Sequence, residues 1–224
     1  MNIIQIFTEY YQYFLRGTRT TILISLITVF CRAILGCLVA LMRISNCKPL
    51  QAFSKLYITV IRGTPMLVQL YIVYYQLSFI QYPSGTIWGV DMERAIPCVI
   101  ALSLNSAAYI AEIIRAAIQS IDKGQLEAST ALGLTHSQAM RLVIIPQAYR
   151  RMIPPICNEF VMVLKDTSLV SIIALTDLTY QTKIIASNKA SALVYIPAMI
   201  IYLIITGVFT VIFNRLEKRL SIYE

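Results

Sequence analysis

Glu159 and Asp166 stand in the apolar stretch NEFVMVLKDTS, at positions where a soluble-protein explanation for a carboxylate fails. A charge at bilayer depth costs about 3 kcal/mol on insertion scales unless it is paired or hydrated, so such residues are functional candidates by default. Asn158 lies beside Glu159, and Ser168 follows Asp166 by two positions. Thr64 and Asn105 bring a hydroxyl and an amide into two other apolar runs. Carboxylates suit an ammonium or another cationic group, whereas hydroxyl, amide and backbone donors suit an anion such as a carboxylate. Each residue also has a purely structural reading. Glu159 is placed to pair with Arg62 or Arg32 and hold helices together. Lys165–Asp166 reads equally as a structural or gating pair. Asn105 and Ser106 are suited to hydrogen bonds between helices. Glu112 and Arg115, three apart, read as a helix-surface ion pair.

These groups need elements to position them. The chain has 224 residues, 58% of them hydrophobic and 13% charged, with a mean hydropathy of +0.69. Soluble domains carry about 25% charged residues. Apolar runs of roughly 20 residues, the length a helix needs to cross the hydrocarbon, recur at 20–42, 56–80, 95–118, 153–175 and 190–213. The expectation is an all-α integral membrane protein with five transmembrane helices. Residues 1–19, rich in aromatics, predict a separate helix lying at the membrane surface, and 20–224 the transmembrane domain. No basic leader or cleavage site marks a signal peptide. Arg62-Gly63-Thr64-Pro65 predicts a break or kink in the second span, whose freed backbone groups could line a cavity. The loop 81–93 reads as a turn around Pro83, Gly85 and Gly89, with Trp88 at headgroup depth.

The net charge is +8, and its distribution reads as a topology signal. Arg43, Lys48, Lys55, Arg115, Lys123, Arg141, Arg150, Arg151, Arg215, Lys218 and Arg219 fall on one side, eleven against the five of Arg16, Arg19, Arg94, Lys183 and Lys189. The positive-inside rule then puts the N-terminus outside and the C-terminus in the cytoplasm. No nucleic-acid motif is present, so nucleic acid is not an expected partner. The five cysteines lack metal-ligand spacing and read as small packing residues. His136 is the only histidine and cannot build a metal site alone.

Between the third and fourth spans, residues 119–151 interrupt the apolar pattern with a polar helical hairpin. Asp122/Gln125 and Thr135/Gln138 have capping-box spacing. Gly133 lies between them, where a helix end calls for a left-handed residue. Pro146 is expected to end the second short helix, and Pro154–Pro155 to open the next span. About 30 residues are more than neighbouring helices need for a connection. Leu134, Met140 and Val143 offer apolar surface to a partner's groove.

The stretch EASTALGLTHSQAMRLVIIP resembles the EAA loop of permease subunits of bacterial ATP-binding cassette importers. That motif reads E-A-A, three residues, Gly, nine residues, then I-x-L-P. Glu127, Ala128, Gly133 and Pro146 match; Ser129, Val143 and Ile145 are departures of similar size. TRTTILIS, YITVIRGTPMLVQL, LNSAAYIAEIIRAAIQSIDKGQLEA and NEFVMVLKDTSLVSII resemble the polar amino acid branch, with its histidine, glutamine, arginine and cystine systems. The resemblance spans about Phe14 to Leu220.

It implies a type I importer permease fold in a bacterial inner membrane. It implies partners: a second permease copy, identical or not, membrane lipids, an extracytoplasmic amino-acid-binding protein, and a cytoplasmic ATPase dimer. Glu127, Ala128, Gly133, Leu134 and Pro146 would belong to the coupling element that docks on the ATPase. This chain has no phosphate-binding loop, so ATP and Mg2+ would sit on the partner, and the chain would need no cofactor and catalyse no reaction. For an amino acid substrate, Glu159 with Asn158 beside it would meet the ammonium or a cationic side chain. Asp166 is a second acidic contact, and Ser168, Thr64 and Asn105 are donors for the carboxylate. The rival is a channel-like or ATPase-anchoring subunit without its own substrate site. An intramembrane enzyme would want a nucleophile–base pair or a metal cluster.

Overall fold

The computed structural model describes residues 2–76, 80 and 82–220. The expected end of span 2 at 77–79, Gln81 and the last four residues lie outside them.

Helix α1 runs Ile3–Ile44 with a kink at Tyr10 (φ −114°, ψ 16°), where two helical segments join. An N-terminal helical segment is therefore present, and its break falls at Tyr10 rather than near residue 19. No proline or glycine pair breaks the run from Tyr11 onward, so hydrogen bonding continues through Gly17. Ile6 and Phe14 are buried with Leu178, Ile185, Val194 and Ala198. Glu9 adds an ion pair to Lys189 at 3.0 Å, and the Lys189 ammonium lies 5.4 Å from the Tyr10 ring centre. The first turns are thus packed on later helices.

Helix α2 (Lys48–Gly63) and α3 (Met66–Gln76) replace the single second span. They meet at 110°. Thr64 is extended (φ −123°, ψ 146°), as a residue before proline must be. A short antiparallel hairpin, β1 (Thr86–Ile87) and β2 (Val90–Asp91), precedes α4 (Met92–Gln119). The polar hairpin is α5 (Lys123–Ala131) and α6 (His136–Ala139). A π-helical turn, Met140–Ile144, joins α6 without a break to α7 (Ile145–Asp166). Pro146 does not end the second short helix, and Pro154–Pro155 do not open the next. Pro146 follows the π-helical turn, inside the continuous helical run. Pro154 and Pro155 lie inside α7.

A 3₁₀ segment, Thr167–Ile173, leads to α8 (Leu178–Lys189), and a 3₁₀ turn at Ala192–Val194 opens α9 (Tyr195–Leu220). By length and composition α1, α4 and residues 192–219 can each cross a membrane, and the bent α2–α3 pair counts as a fourth. α7 carries Arg150, Arg151, Glu159, Lys165 and Asp166 and is not in that class.

The core is built on α1 against α4. Ala101, Ala107, Ala108 and Ala111 are buried along α4, and small residues let helix backbones approach closely in lipid. A Cβ at Gly36 would stand 2.5 Å from Ile110 Cγ2. At Gly17 it would stand 2.6 Å from Leu178 Cα, so only glycine fits where α1 crosses the start of α8. On α7 and α9, Phe160 packs on Phe209 and Phe213 with ring centres 4.6 and 5.0 Å away. The outer face of the bundle is apolar. α9 is the clearest case: its central window has a mean hydropathy of 2.4, yet only 11% of it is buried within the chain. A lipid solvent explains why such a surface is tolerated.

Candidate functional site

Arg32, in the last third of α1, is 1% exposed. Its Nη1 donates to the Glu159 main-chain carbonyl at 3.0 Å and lies 3.8 Å from Glu159 Oε2. Of the two arginines open to Glu159, α7 therefore meets Arg32. Arg62 stands instead over the Tyr109 ring, 5.2 Å from its centre. It also lines a cavity of about 230 Å³ with Arg43, Lys55 and Glu112. Burying a guanidinium demands a partner, and Glu159 provides one while its own side chain stays 20% exposed. One side of this carboxylate is engaged; the other is open.

Asn158 belongs to an exposed stripe on α7 with Arg151, Pro154, Met162 and Lys165. Their spacing of three and four residues puts them on one face. Among the described residues no element covers that face. Asp166 and Ser168 are half-buried further along, and the Ser168 carbonyl accepts from Ser171 Oγ at 2.8 Å. Among the described residues no ion pair joins Lys165 to Asp166. Glu112 and Arg115 do pair, with Arg115 Nε donating to Glu112 Oε1 at 2.8 Å.

Thr64 and Asn105 converge on a residue that sequence reasoning missed, Gln69. Its amide nitrogen donates to the Ile61 carbonyl at 2.7 Å, to Thr64 Oγ1 at 2.7 Å and to the Thr64 carbonyl at 3.1 Å. Its oxygen accepts from Asn105 Nδ2 at 2.9 Å. One buried amide thus satisfies carbonyls freed where α2 ends and ties the break to α4. The available signal was a lone glutamine in the apolar run MLVQL, five residues beyond Thr64. Gln69→Leu, similar in size, strands Asn105 and these carbonyls. The expected cost is about 1–3 kcal/mol, read as a lower thermal unfolding temperature, with Gln69→Ala no better. A melting temperature equal to that of the parent would remove Gln69 from this role.

Thr64, Gln69 and Asn105 form one cluster, and Arg32 and Glu159 another. Asp166 and Ser168 are joined to neither by a hydrogen bond or ion pair among the described residues.

The hairpin at the other end of α4 is held by its own chemistry. Asp122 caps α5 by accepting from Gly124 N at 2.6 Å; the reciprocal Gln125 contact of a capping box is not formed. Thr135 and Gln138 do form one. Gly133 has φ +84°. Its N–H reaches the Thr130 carbonyl at 2.9 Å, and the Leu134 N–H reaches the Ser129 carbonyl at 3.1 Å. This pair of bonds is the Schellman ending that demands a left-handed residue. Ser129 is buried, and its hydroxyl is satisfied by the Gln125 carbonyl at 2.6 Å, so serine fits where the EAA pattern has alanine.

The apolar surface differs from expectation. Met140 and Val143 are half-buried, packed in part on Ala117, Ile121, Ile144 and Ala148 of this chain. Leu134 is half-buried. The most exposed large apolar side chain of the hairpin, ahead of Leu142 at 62%, is Leu132 at 84%. It lies six residues beyond the inward-facing Leu126, about 240° around the helix at 3.6 residues per turn. Glu127 and Ala128 are exposed beside it.

The fold, the apolar outer surface and the capped hairpin define a helical membrane protein with a polar helical hairpin at one end of its bundle. The family model described as "Binding-protein-dependent transport system inner membrane component" matches residues 32–222. The probable amino-acid ABC transporter permease YckA of Bacillus subtilis is 37% identical over 96% of this chain and 92% of its own. The L-cystine permease TcyB of the same organism is 38% identical over 92% and 86%. The glutamine permease GlnP of Escherichia coli is 36% identical over 93% of each. A solved amino acid ABC transporter with histidines superposes with a TM-score of 0.87 at 38% identity, covering 98% of this chain and 99% of that one. The methionine transporter MetNI, in inward-facing form, shares the fold (TM-score 0.77, 17% identity, 95% and 98% covered). The chain belongs to the permease subunits of ATP-binding cassette amino acid importers.

Proposed function

We propose that two copies of this chain, or this chain and a close relative, enclose an amino acid pathway between their α7 faces. The observation that carries the reading is the exposed stripe of α7 bearing Arg151, Asn158 and Lys165, uncovered among the described residues, while the Glu159 side chain stays 20% exposed. Glu159 receives the ammonium or a cationic side chain of the solute, with Asn158 beside it and Asp166 as a further acidic contact. Ser168 supplies a donor toward the carboxylate, and Asn105 retains a second amide hydrogen beside the one given to Gln69. Thr64 gives its hydroxyl hydrogen to the Val60 carbonyl and shapes the break instead. The break at Arg62–Pro65 suits this role, because irregular backbone is tolerated at membrane depth where it lines a cavity.

In this reading there are five crossings. The N-terminus is outside, and the hairpin and C-terminus are in the cytoplasm of a bacterial cell. Residues Glu127, Ala128, Leu132, Gly133, Leu134 and Pro146 carry motion from a cytoplasmic ATPase dimer, which binds ATP and Mg2+. A binding protein delivers solute from outside. Rigid rotation of the paired helices opens the pathway to one side at a time.

The test is uptake into vesicles holding the permease, its ATPase and its binding protein, with glutamine, cystine, arginine and histidine compared. Uptake that requires ATP and Mg2+ and selects among these solutes is expected. Flux that proceeds equally without nucleotide would replace the reading with a channel.

A further inference from the structure

Two cavities meet at Trp88, at the end of α4 away from the α5–α6 hairpin. The first, of about 450 Å³, is walled by Arg16, Arg19, Thr176 and Gln181. The second, of about 220 Å³, is wholly apolar and runs between Leu23 and Ile27 of α1 and Ile96 and Ile100 of α4. Arg16, Arg19, Leu23 and Ile27 follow one another at spacings of three and four, so a single face of α1 passes from cationic to apolar. Both arginines are exposed, and neither has a carboxylate within ion-pair distance among the described residues.

The turn between the cavities is strained. Trp88 has φ +53° and Gly89 φ +78°, in a two-residue hairpin loop where asparagine and glycine are the favoured pair. A left-handed conformation is costly for a bulky residue. Trp88 is nevertheless 66% exposed, so packing within the chain does not account for it. Tryptophan is favoured where apolar surface meets headgroups.

We infer that the joined cavities bind an anionic phospholipid. Its phosphodiester lies between Arg16 and Arg19, whose planar guanidinium forks match phosphate oxygens. One acyl chain follows the Leu23–Ile27 and Ile96–Ile100 groove, and the Trp88 indole stands at glycerol level. The site is separate from the α7 stripe and does not depend on which solute is carried.

Native mass spectrometry of the assembled transporter, with phosphatidylglycerol and phosphatidylcholine supplied equally, tests the assignment. The parent should retain phosphatidylglycerol preferentially. Arg16→Gln/Arg19→Gln should lower that retention about tenfold, to the phosphatidylcholine level, consistent with loss of two charge-assisted contacts. Ile27→Trp should fill the groove and reduce retention with both arginines present. The single Arg16→Gln and Arg19→Gln proteins give intermediate retention, and serve if the double variant does not assemble. Excess glycerol phosphate should not displace the lipid. Unchanged phosphatidylglycerol retention in the arginine variants, equal retention of both lipids, or displacement by glycerol phosphate would overturn the assignment.

Discussion

Leu132→Glu is expected to abolish ATP-dependent uptake while leaving the permease folded. Leu132 is 84% exposed at the end of α5, so the isolated subunit loses almost no packing on substitution. In the transporter the proposed hairpin contact would bury it in a groove of the ATPase. Full burial of a leucine is worth about 1.5–3 kcal/mol, and a carboxylate at that place must also be desolvated. A drop of at least about a hundredfold in coupled uptake follows, because such losses compound. Leu132→Ala should fall between. The check is twofold: co-purification of the ATPase with the permease, and uptake per ATP hydrolysed. Parent-like values in both for Leu132→Glu would remove α5 as the docking element. Leu134, the sequence-level choice, is a poorer probe. Its side chain is half-buried beside the α5 terminus, so its substitution confounds docking with hairpin packing.

Glu159→Gln should lower uptake by at least about tenfold, or about 1.4 kcal/mol, with a smaller effect on the yield of assembled complex. The amide keeps the shape and leaves the bond from Arg32 to the residue-159 carbonyl, 3.0 Å long in the parent, in place. Removing one member of a buried pair costs about 3–5 kcal/mol. Here the carboxylate is 20% exposed and 3.8 Å from the guanidinium, so solvent moderates that figure. Arg32→Gln combined with Glu159→Gln separates the roles. If Glu159 only neutralises Arg32, the double variant regains both assembly and uptake. If Glu159 meets the solute, assembly recovers and uptake does not. A coupling energy measured this way apportions the pair. Parallel loss and parallel recovery would leave Glu159 as a counter-ion and nothing more.

The features legible in the sequence share a short range. The apolar runs, the Thr135–Gln138 capping box, Gly133 at a left-handed turn and the break before Pro65 each follow from residues within a few positions of one another. Local sterics and hydrogen bonding decide them. The family resemblance added the docking role of the hairpin.

What was missed has the opposite character. The π-helical turn at Met140–Ile144 rotates the hairpin so that Met140 and Val143 face their own bundle, and periodicity alone does not record an extra residue in a turn. The placement of the first turns of α1 rests on Ile6 and Phe14 packing against α8 and α9, more than 150 residues away in the chain. Gln69 looked like one more residue of an apolar helix until the 110° bend brought the Ile61 carbonyl and Asn105 to it.

Sequence by itself determined that this chain is a lipid-embedded helical protein with a capped polar hairpin, because burial preference, caps and left-handed glycines are local properties. Tertiary structure alone decided that Arg32 takes Glu159, 127 residues distant, and that Leu132 points outward. It alone decided that the α7 stripe bearing Arg151, Asn158 and Lys165 stays exposed. Those outcomes depend on helix rotation and crossing, which are set by packing between segments remote in the chain.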